Sequence, residues 1–263
     1  MIKVLVNGAC GRMGRAVVKA VSDANDLELV AAVDVNGGAD SGELAGIDKN
    51  GIVVGDDLAS SLRESNAQVM IDFTRPDVVF DNVCTALENH VAAVVGTTGL
   101  SDDQKLKIAE LSAKNDTPAF IAPNFAIGAV LLMQMSKMAA KYMPDVEIIE
   151  MHHDRKLDAP SGTAIQTAEL LRGIREPHKQ GNPDEKEKLD GARGGSVDGI
   201  PIHSVRLQGF VASQAVIFGG LGQTLTIRHD STDRTSFMPG VVLAARRVLG
   251  TKGLTVGLEN FLD

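Results

Sequence analysis

Two adjacent imidazoles, His152 and His153, are followed closely by Lys156 and then by Pro160-Ser-Gly-Thr163. Imidazole has an ordinary pKa near neutrality, so it is the usual proton donor or acceptor at physiological pH. A lysine ammonium binds a carboxylate or gives up a proton. Ser161 suits the N-cap of a helix. The amides of Ser161, Gly162 and Thr163, the helix dipole and the Thr163 hydroxyl would then cradle an anion. The set fits a small dicarboxylate whose carbon skeleton takes up a proton. If 146–151 is a strand, His152 and His153 point to opposite faces, so they have different jobs or only one has a job. Two other readings stand beside this one. The histidines could be satisfied core or surface residues, or they could recruit Asp154 and Asp158 as metal ligands. Alternating faces separate the two rings and disfavour the second, so no metal is expected.

A second constellation lies at the start of the chain. An apolar run, 2–6, leads into Asn7-Gly8-Ala-Cys-Gly11-Arg-Met-Gly14 and then a helical pattern. The spacing is G-x-x-G-x-x-G rather than the standard dinucleotide fingerprint. The roles carry over: Gly8 for the tight turn, Gly11 for close approach of backbone to a pyrophosphate, Gly14 for helix–strand packing. Arg12 could add a charge-assisted contact to phosphate. Asp34 ends the second strand pattern about twenty residues after the last glycine, where an acid binds the adenosine ribose. Val35, Asn36 and Gly37 follow it, with no arginine for a 2′-phosphate. NADH is therefore the expected cofactor preference, with NADPH still usable. Gly96-Thr-Thr-Gly99 and Ala122-Pro-Asn-Phe125 end two later strand patterns, where open α/β sheets bind ligands. They read equally as nicotinamide-side contacts or as turn chemistry.

The elements that must position these groups fall into two rhythms. Apolar strand patterns at 2–6, 27–33, 69–73, 91–95 and 119–122 alternate with helix patterns at 12–22, 76–88 and 102–114. Continuously apolar strands separated by helices of that length predict a parallel sheet covered on both faces, a doubly wound Rossmann-type α/β domain. After Asn124 the pattern changes. Helices are expected at 128–143 and 163–172, with Met133, Met135 and Met138 packed in the core. A strand is expected at 146–152, a long surface loop over 176–199, and three consecutive strands at 202–207, 214–218 and 224–229. Consecutive strands imply an antiparallel or mixed sheet, hence a second α+β domain. The expected division is 1–123 with 234–263 for dinucleotide binding, and 124–233 for substrate binding and oligomerisation. A last helix over 236–249 would return to the first domain.

Composition narrows the function classes. The formal net charge is -8 over 263 residues, with no Trp, one Tyr and no Lys/Arg run. That is a poor surface for nucleic acid, which wants cationic grooves and stacking rings. Cys10 and Cys84 form no disulfide framework or zinc spacing. No apolar run reaches the ~20 residues that span a bilayer, and the N-terminus enters a strand at once. A cytoplasmic protein acting on a small molecule, without nucleic acid or membrane, is the expectation.

The motifs Gly8–Gly14, Asp72-Phe-Thr74, Gly96–Gly99, Ala122–Phe125 and the segment from Glu150 to Ala164 resemble the dihydrodipicolinate (4-hydroxy-tetrahydrodipicolinate) reductase family of lysine and diaminopimelate biosynthesis, across essentially the whole chain. The resemblance implies His152 as general acid, with Lys156 as proton donor or carboxylate anchor. It implies substrate contacts from His153, Lys156, Gly162 and Thr163. Cofactor contacts are implied for Gly8, Ala9, Cys10, Gly11, Arg12, Met13, Asp34, Gly96, Thr97, Thr98, Ala122, Pro123, Asn124 and Phe125. Arg234 matches an arginine where the chain returns to the first domain. The implied reaction is hydride transfer from NADH or NADPH to a cyclic imine dicarboxylate after loss of water, in a homotetramer built through the second domain. Many members carry an arginine after the acid at the position of Val35, a departure that agrees with the NADH reading.

Two rival classes are weighed against it. The nearest is another two-domain NAD(P) reductase, such as an amino-acid or semialdehyde dehydrogenase; a catalytic cysteine would favour semialdehyde chemistry, but Cys10 falls in the phosphate loop and Cys84 in a helix pattern. A nicotinamide-sensing regulator needs a nucleic-acid or protein module, for which the acidic charge is unsuited.

Overall fold

The computed structural model describes residues 1–176 and 180–262. The chain forms two compact units, Met1–Ala126 with Arg234–Asp263, and Ile127–Asp233.

The first unit is built on six strands: β1 (Ile2–Asn7), β2 (Leu27–Val33), β3 (Val69–Asp72), β4 (Ala92–Val95), β5 (Ala119–Ile121) and β11 (Leu254–Val256). They run parallel in the order β11-β5-β4-β3-β1-β2. The reversal of order beside β1 is the switch point at which such sheets bind ligands. The helices α1 (Arg12–Asp23), α4 (Val79–Glu88), α5 (Asp102–Lys114) and α8 (Met238–Arg247) belong to this unit, with the short α2 (Ser41–Ala45) and α3 (Leu58–Glu64). Leu5, Met70, Ile71, Phe120 and Ile108 have no exposed surface, so the strands are apolar on both faces because both are covered.

Three elements of this unit were not read from the sequence. Helices α2 and α3 are short and are set by Asp40 and Asp57, whose side chains cap them. The strand β11 is three residues long and extends the sheet only by pairing with β5. The first unit also runs past residue 123 to Ala126. The Phe125 ring is buried and packs 5.8 Å from that of Phe73 and 6.0 Å from that of Phe120.

The second unit holds α6 (Ile127–Ala139), β6 (Asp145–His152), α7 (Gly162–Arg172), β7 (Gly195–Val197), β8 (Ile200–Arg206), β9 (Ala212–Gly220) and β10 (Gln223–Ser231). The sheet is mixed, in the order β10-β9-β6-β8-β7, with β6 parallel to β8 and antiparallel to β9. The long loop expected over 176–199 contains β7, which pairs with β8 through a two-residue turn. Asp198 and Gly199 take φ values of 48° and 77° there, the mirror-image hairpin turn that an Asp-Gly dipeptide favours. Residues 177–179 of that expected loop lie outside the described residues. Of the three methionines expected in the core only Met133 is buried. Met135 and Met138 are 48% and 63% exposed, because the covered face of α6 carries Ala129, Leu132, Met133 and Ser136. Among the described residues no helix is long and apolar enough to cross a membrane.

Candidate functional site

In the first unit the phosphate loop is tied to β2 by its own backbone. The Gly8 and Ala9 amides donate to the Val33 carbonyl at 2.8 and 3.0 Å. Gly8 has a φ of 84°, and a Cβ on it would overlap the Phe73 carbonyl. A Cβ on Gly14 would overlap the Gly8 carbonyl, so both glycines are required by close approach. Helix α1 starts after Gly11 with no side chain capping it. The amides of Arg12, Met13 and Gly14 therefore head the helix at the positive end of its dipole, and exposed Arg12 stands with them.

Asp34 sits where the ribose reading placed it. Its Oδ2 accepts from the Cys10 amide at 3.0 Å and its Oδ1 from the Asn36 amide at 3.0 Å, so it also braces the loop. A cavity of about 440 Å³ is lined by Gly8, Cys10, Gly11, Asp34, Asn36 and Arg75, among others. Arg75 is a cation that local sequence did not bring near Asp34, and it is paired with Asp77 at 2.8 Å. An uncapped helix head, a backbone cradle that side chains would fill and an acid at the end of β2 fit a dinucleotide.

The other cofactor positions divide by burial. Thr97 is buried and Thr98 exposed, while Gly96 abuts the Phe73 ring. Ala122 is buried, with its amide donating to Val95 at 3.1 Å, and Pro123 is exposed. Asn124 Oδ1 accepts from the Ala126 amide at 2.9 Å. Phe125 is 2% exposed, so its ring belongs to the core and only its backbone is left for a ligand.

Sequence reasoning gave Asp72 no role, although it is completely buried beneath these loops. Its Oδ1 accepts from the Thr97 hydroxyl (2.7 Å), the Thr74 hydroxyl (2.8 Å) and the Thr74 amide (3.1 Å). Its Oδ2 accepts from Asn7 Nδ2 (2.9 Å) and Asn82 Nδ2 (3.0 Å). One side chain thus ties together the ends of β1, β3 and β4 and the helix α4. An acid at the end of an apolar strand run, with a threonine two residues on, was the available signal.

In the second unit, β6 carries Glu150 and His152 on one face, two residues apart. Glu150 is fully buried, and its Oε2 lies 2.5 Å from His152 Nδ1. Arg206 closes on the same carboxylate through two bonds of 2.8 and 2.7 Å. Burial pushes the Glu150 carboxyl up, but hydrogen bonds from Arg206, Ser204 and His152 and the Arg206 charge outweigh it and hold it below its ordinary value. Burial also depresses His152. The Glu150 bond and charge pull the other way, Lys156 and Arg206 add to the depression, and the net shift is downward.

Helix α7 begins as the sequence suggested. Ser161 caps it by accepting from the Ala164 amide at 3.2 Å, and its own amide donates to Glu150 at 3.2 Å. Gly162 and Thr163 supply the first-turn amides. Lys156 is bound to Asp158 at 2.6 Å. His153 follows the end of β6, and its Nδ1 is buried with no hydrogen-bond partner among the described residues. Among the described residues no three His, Cys, Asp or Glu side chains converge as metal ligands. The arrangement places a held imidazole, an ammonium, a second imidazole and a helix head around one strand end. It can bind carboxylates and move a proton.

The model of the N-terminus of dihydrodipicolinate reductase matches residues 2–125, and that of its C-terminus matches residues 128–262. A 4-hydroxy-tetrahydrodipicolinate reductase of Desulfitobacterium hafniense is 52% identical over 100% of this chain and 99% of its own. One from Oceanobacillus iheyensis is 51% identical over 99% of both chains. A solved structure of a dipicolinate-bound dihydrodipicolinate reductase from Paenisporosarcina superposes with a TM-score of 0.90, at 47% identity over 100% of both chains.

Proposed function

The chain belongs to the dihydrodipicolinate reductase family, and from that premise we propose how its residues share out the reaction. It is an oxidoreductase of lysine and diaminopimelate biosynthesis that reduces 4-hydroxy-tetrahydrodipicolinate, and its first unit is a nucleotide-binding Rossmann domain. We assign NADH or NADPH to the crevice above β1 and β2. The amides of residues 12–14 take the pyrophosphate, Asp34 takes the ribose, and the loops 96–98 and 122–125 take the nicotinamide side. A bound nicotinamide supplies the hydride.

His152 is the proton donor. The observation that carries this role is its seat at the end of β6, held at Nδ1 by Glu150 and flanked by Lys156 and the head of α7. Lys156, His153 and the amides of Gly162 and Thr163 hold the two carboxylates. The related structure that carries dipicolinate supports a flat dicarboxylate as the ligand class. Lys156 leaves Asp158 to meet its substrate. A doubly anionic substrate stabilises the protonated imidazole beside it, which turns a depressed histidine into a donor when the substrate is bound. The substrate loses water, and the ring then takes one hydride and one proton to give tetrahydrodipicolinate.

NADH is the preferred cofactor, because Asp34 takes the ribose and Val35 and Asn36 bring no cation beside it. The second unit also assembles a homotetramer. Ile149 and Ile217, on the face opposite Ile148 and Val216, stay half-buried in a single copy.

The test is loss of NADH absorbance with the full-length enzyme, its substrate made from pyruvate and aspartate semialdehyde by the preceding synthase. Oxidation that needs both precursors and the synthase, and is blocked by dipicolinate, is the expected result. No oxidation with either NADH or NADPH would overturn it.

A further inference from the structure

His152 is one member of a hydrogen-bonded cluster built on Glu150. Its Nδ1 meets Glu150 Oε2 at 2.5 Å, and Glu150 is fully buried. The remaining capacity of that carboxylate is used by Arg206 through both its terminal nitrogens, by the Ser204 hydroxyl and by the Ser161 amide. Arg206 stands directly opposite His152 in the parallel pairing of β6 with β8, and its Nη2 also donates to the Asp158 carbonyl at 2.8 Å. Its approach to Glu150 is thus fixed by the sheet and by the loop that carries Lys156.

We propose that Glu150 and Arg206 are positioning residues for the proton donor. Glu150 holds His152 as the Nδ1–H tautomer and reserves Nε2 for the transferred proton, and Arg206 sets how strongly Glu150 retains the imidazolium. The proposal rests on His152 being the donor. The proton balance is simple. The imidazolium gives its Nε2 proton to the substrate carbon, the other proton stays on Nδ1 in its hydrogen bond to Glu150, and Nε2 takes a proton back from solvent to restore the imidazolium. A buried carboxylate without a cation would be costly to keep and would grip the imidazolium hard. The two-pronged guanidinium neutralises much of that charge and fixes the plane of the carboxylate.

Among the described residues, the charged groups that act on His152 are Glu150 on its own strand, Arg206 on β8, and Lys156, with Asp158 bound to it, in the loop that follows. Opposite it on β9 stands Ala212, which carries no charge. A Glu150–Arg206 pair that merely braced the β6–α7 connection would affect stability alone. A positioning pair affects the tautomer and the pH profile.

Nitrogen-15 imidazole NMR on the full-length enzyme tests the tautomer without any substitution. The expected spectrum near neutrality shows His152 protonated at Nδ1 and bare at Nε2, and an Nε2–H tautomer would overturn the proposal. Glu150→Gln keeps an acceptor but loses the charge. It should lower kcat by about tenfold or more and move the His152 titration to lower pH, with the KM for substrate and cofactor little changed. Because that variant leaves Arg206 unpaired and can fail to fold, Glu150→Asp is the second arm. It keeps the charge and the arginine but withdraws the carboxylate from Nδ1, and the same split between kcat and KM is expected. Folded Glu150 variants with normal kcat and an unmoved titration, beside an inactive His152→Gln, would overturn this proposal and leave the donor assignment standing. Near-normal kcat in His152→Gln would overturn both.

Discussion

Among the described residues, each unit buries one acid toward the carboxyl end of a central strand, and the two are satisfied in different ways. Asp72 accepts only from neutral donors: two asparagine amides, two threonine hydroxyls and one backbone amide. Glu150 accepts from a guanidinium, an imidazole, the Ser204 hydroxyl and one backbone amide. Neutral donors do not titrate, so the Asp72 network fixes loop geometry. Cationic partners set up a field, and a titratable neighbour inside that field can be tuned. The first arrangement suits a cofactor cradle, and the second suits a proton donor.

The comparison breaks most sharply at His152. Replacing it with Gln should lower kcat by roughly 10²-fold or more, the usual scale for general acid catalysis. Steady-state kinetics with saturating cofactor would show it, and near-normal kcat would remove the contrast altogether.

Asp72→Asn is the matching change in the other unit. It turns an acceptor into a donor facing Asn7 or Asn82 and leaves a buried group unsatisfied, worth about 1–3 kcal/mol. The cofactor KM should rise roughly tenfold, with the substrate KM unchanged. An unchanged cofactor KM in a folded variant would show that the loops hold their shape without this acid.

Acid should act on the second region through both groups whose pKa values are depressed. Glu150 titrates below its ordinary range when folded, so its contribution is complete above the unfolded value and is lost as pH falls through the folded one. His152 is also depressed, so the unfolded chain takes that proton first and stability again falls with acid, starting near the ordinary histidine value of about 6.5. In catalysis, kcat/KM should decline as pH rises through a value below that ordinary one, and kcat should decline at higher pH because bound substrate raises the donor. Coincident limbs in the two profiles would count against substrate-recruited protonation.

The smallest effect concerns the cofactor. The ratio of kcat/KM for NADH over NADPH should exceed one by a few-fold, and Val35→Arg should bring it down by roughly tenfold, the scale of one charge-assisted contact. A clear NADPH preference in the unaltered enzyme would sink the electrostatic reading of Asp34.

Much of this was legible from local pattern. The strand at 27–33 and the helix at 102–114 were bounded by the sequence as the structure has them, because apolar runs and a Ser101–Gln104 capping box mark their ends. The glycines of the phosphate loop and the Ser161 cap were also visible, since a tight turn and a helix start leave local signatures. The hairpin at Asp198-Gly199 carried a readable turn dipeptide inside a stretch whose polarity suggested only a loop. Met135 and Met138 were assigned to the core on residue type, whereas their helical phase puts them outside it.

By itself the sequence determined the doubly wound first domain, the mixed-sheet second domain, the nucleotide loop and the histidine–lysine segment, all of which rest on short-range periodicity and spacing. Only the tertiary structure decided which groups govern them. Arg206 reaches Glu150 across 56 residues, Asn7 reaches Asp72 across 65, and Arg75 joins the cavity of Asp34 from another strand end. Such pairings are made by sheet order and register, which bring together residues that leave no periodic mark along the chain.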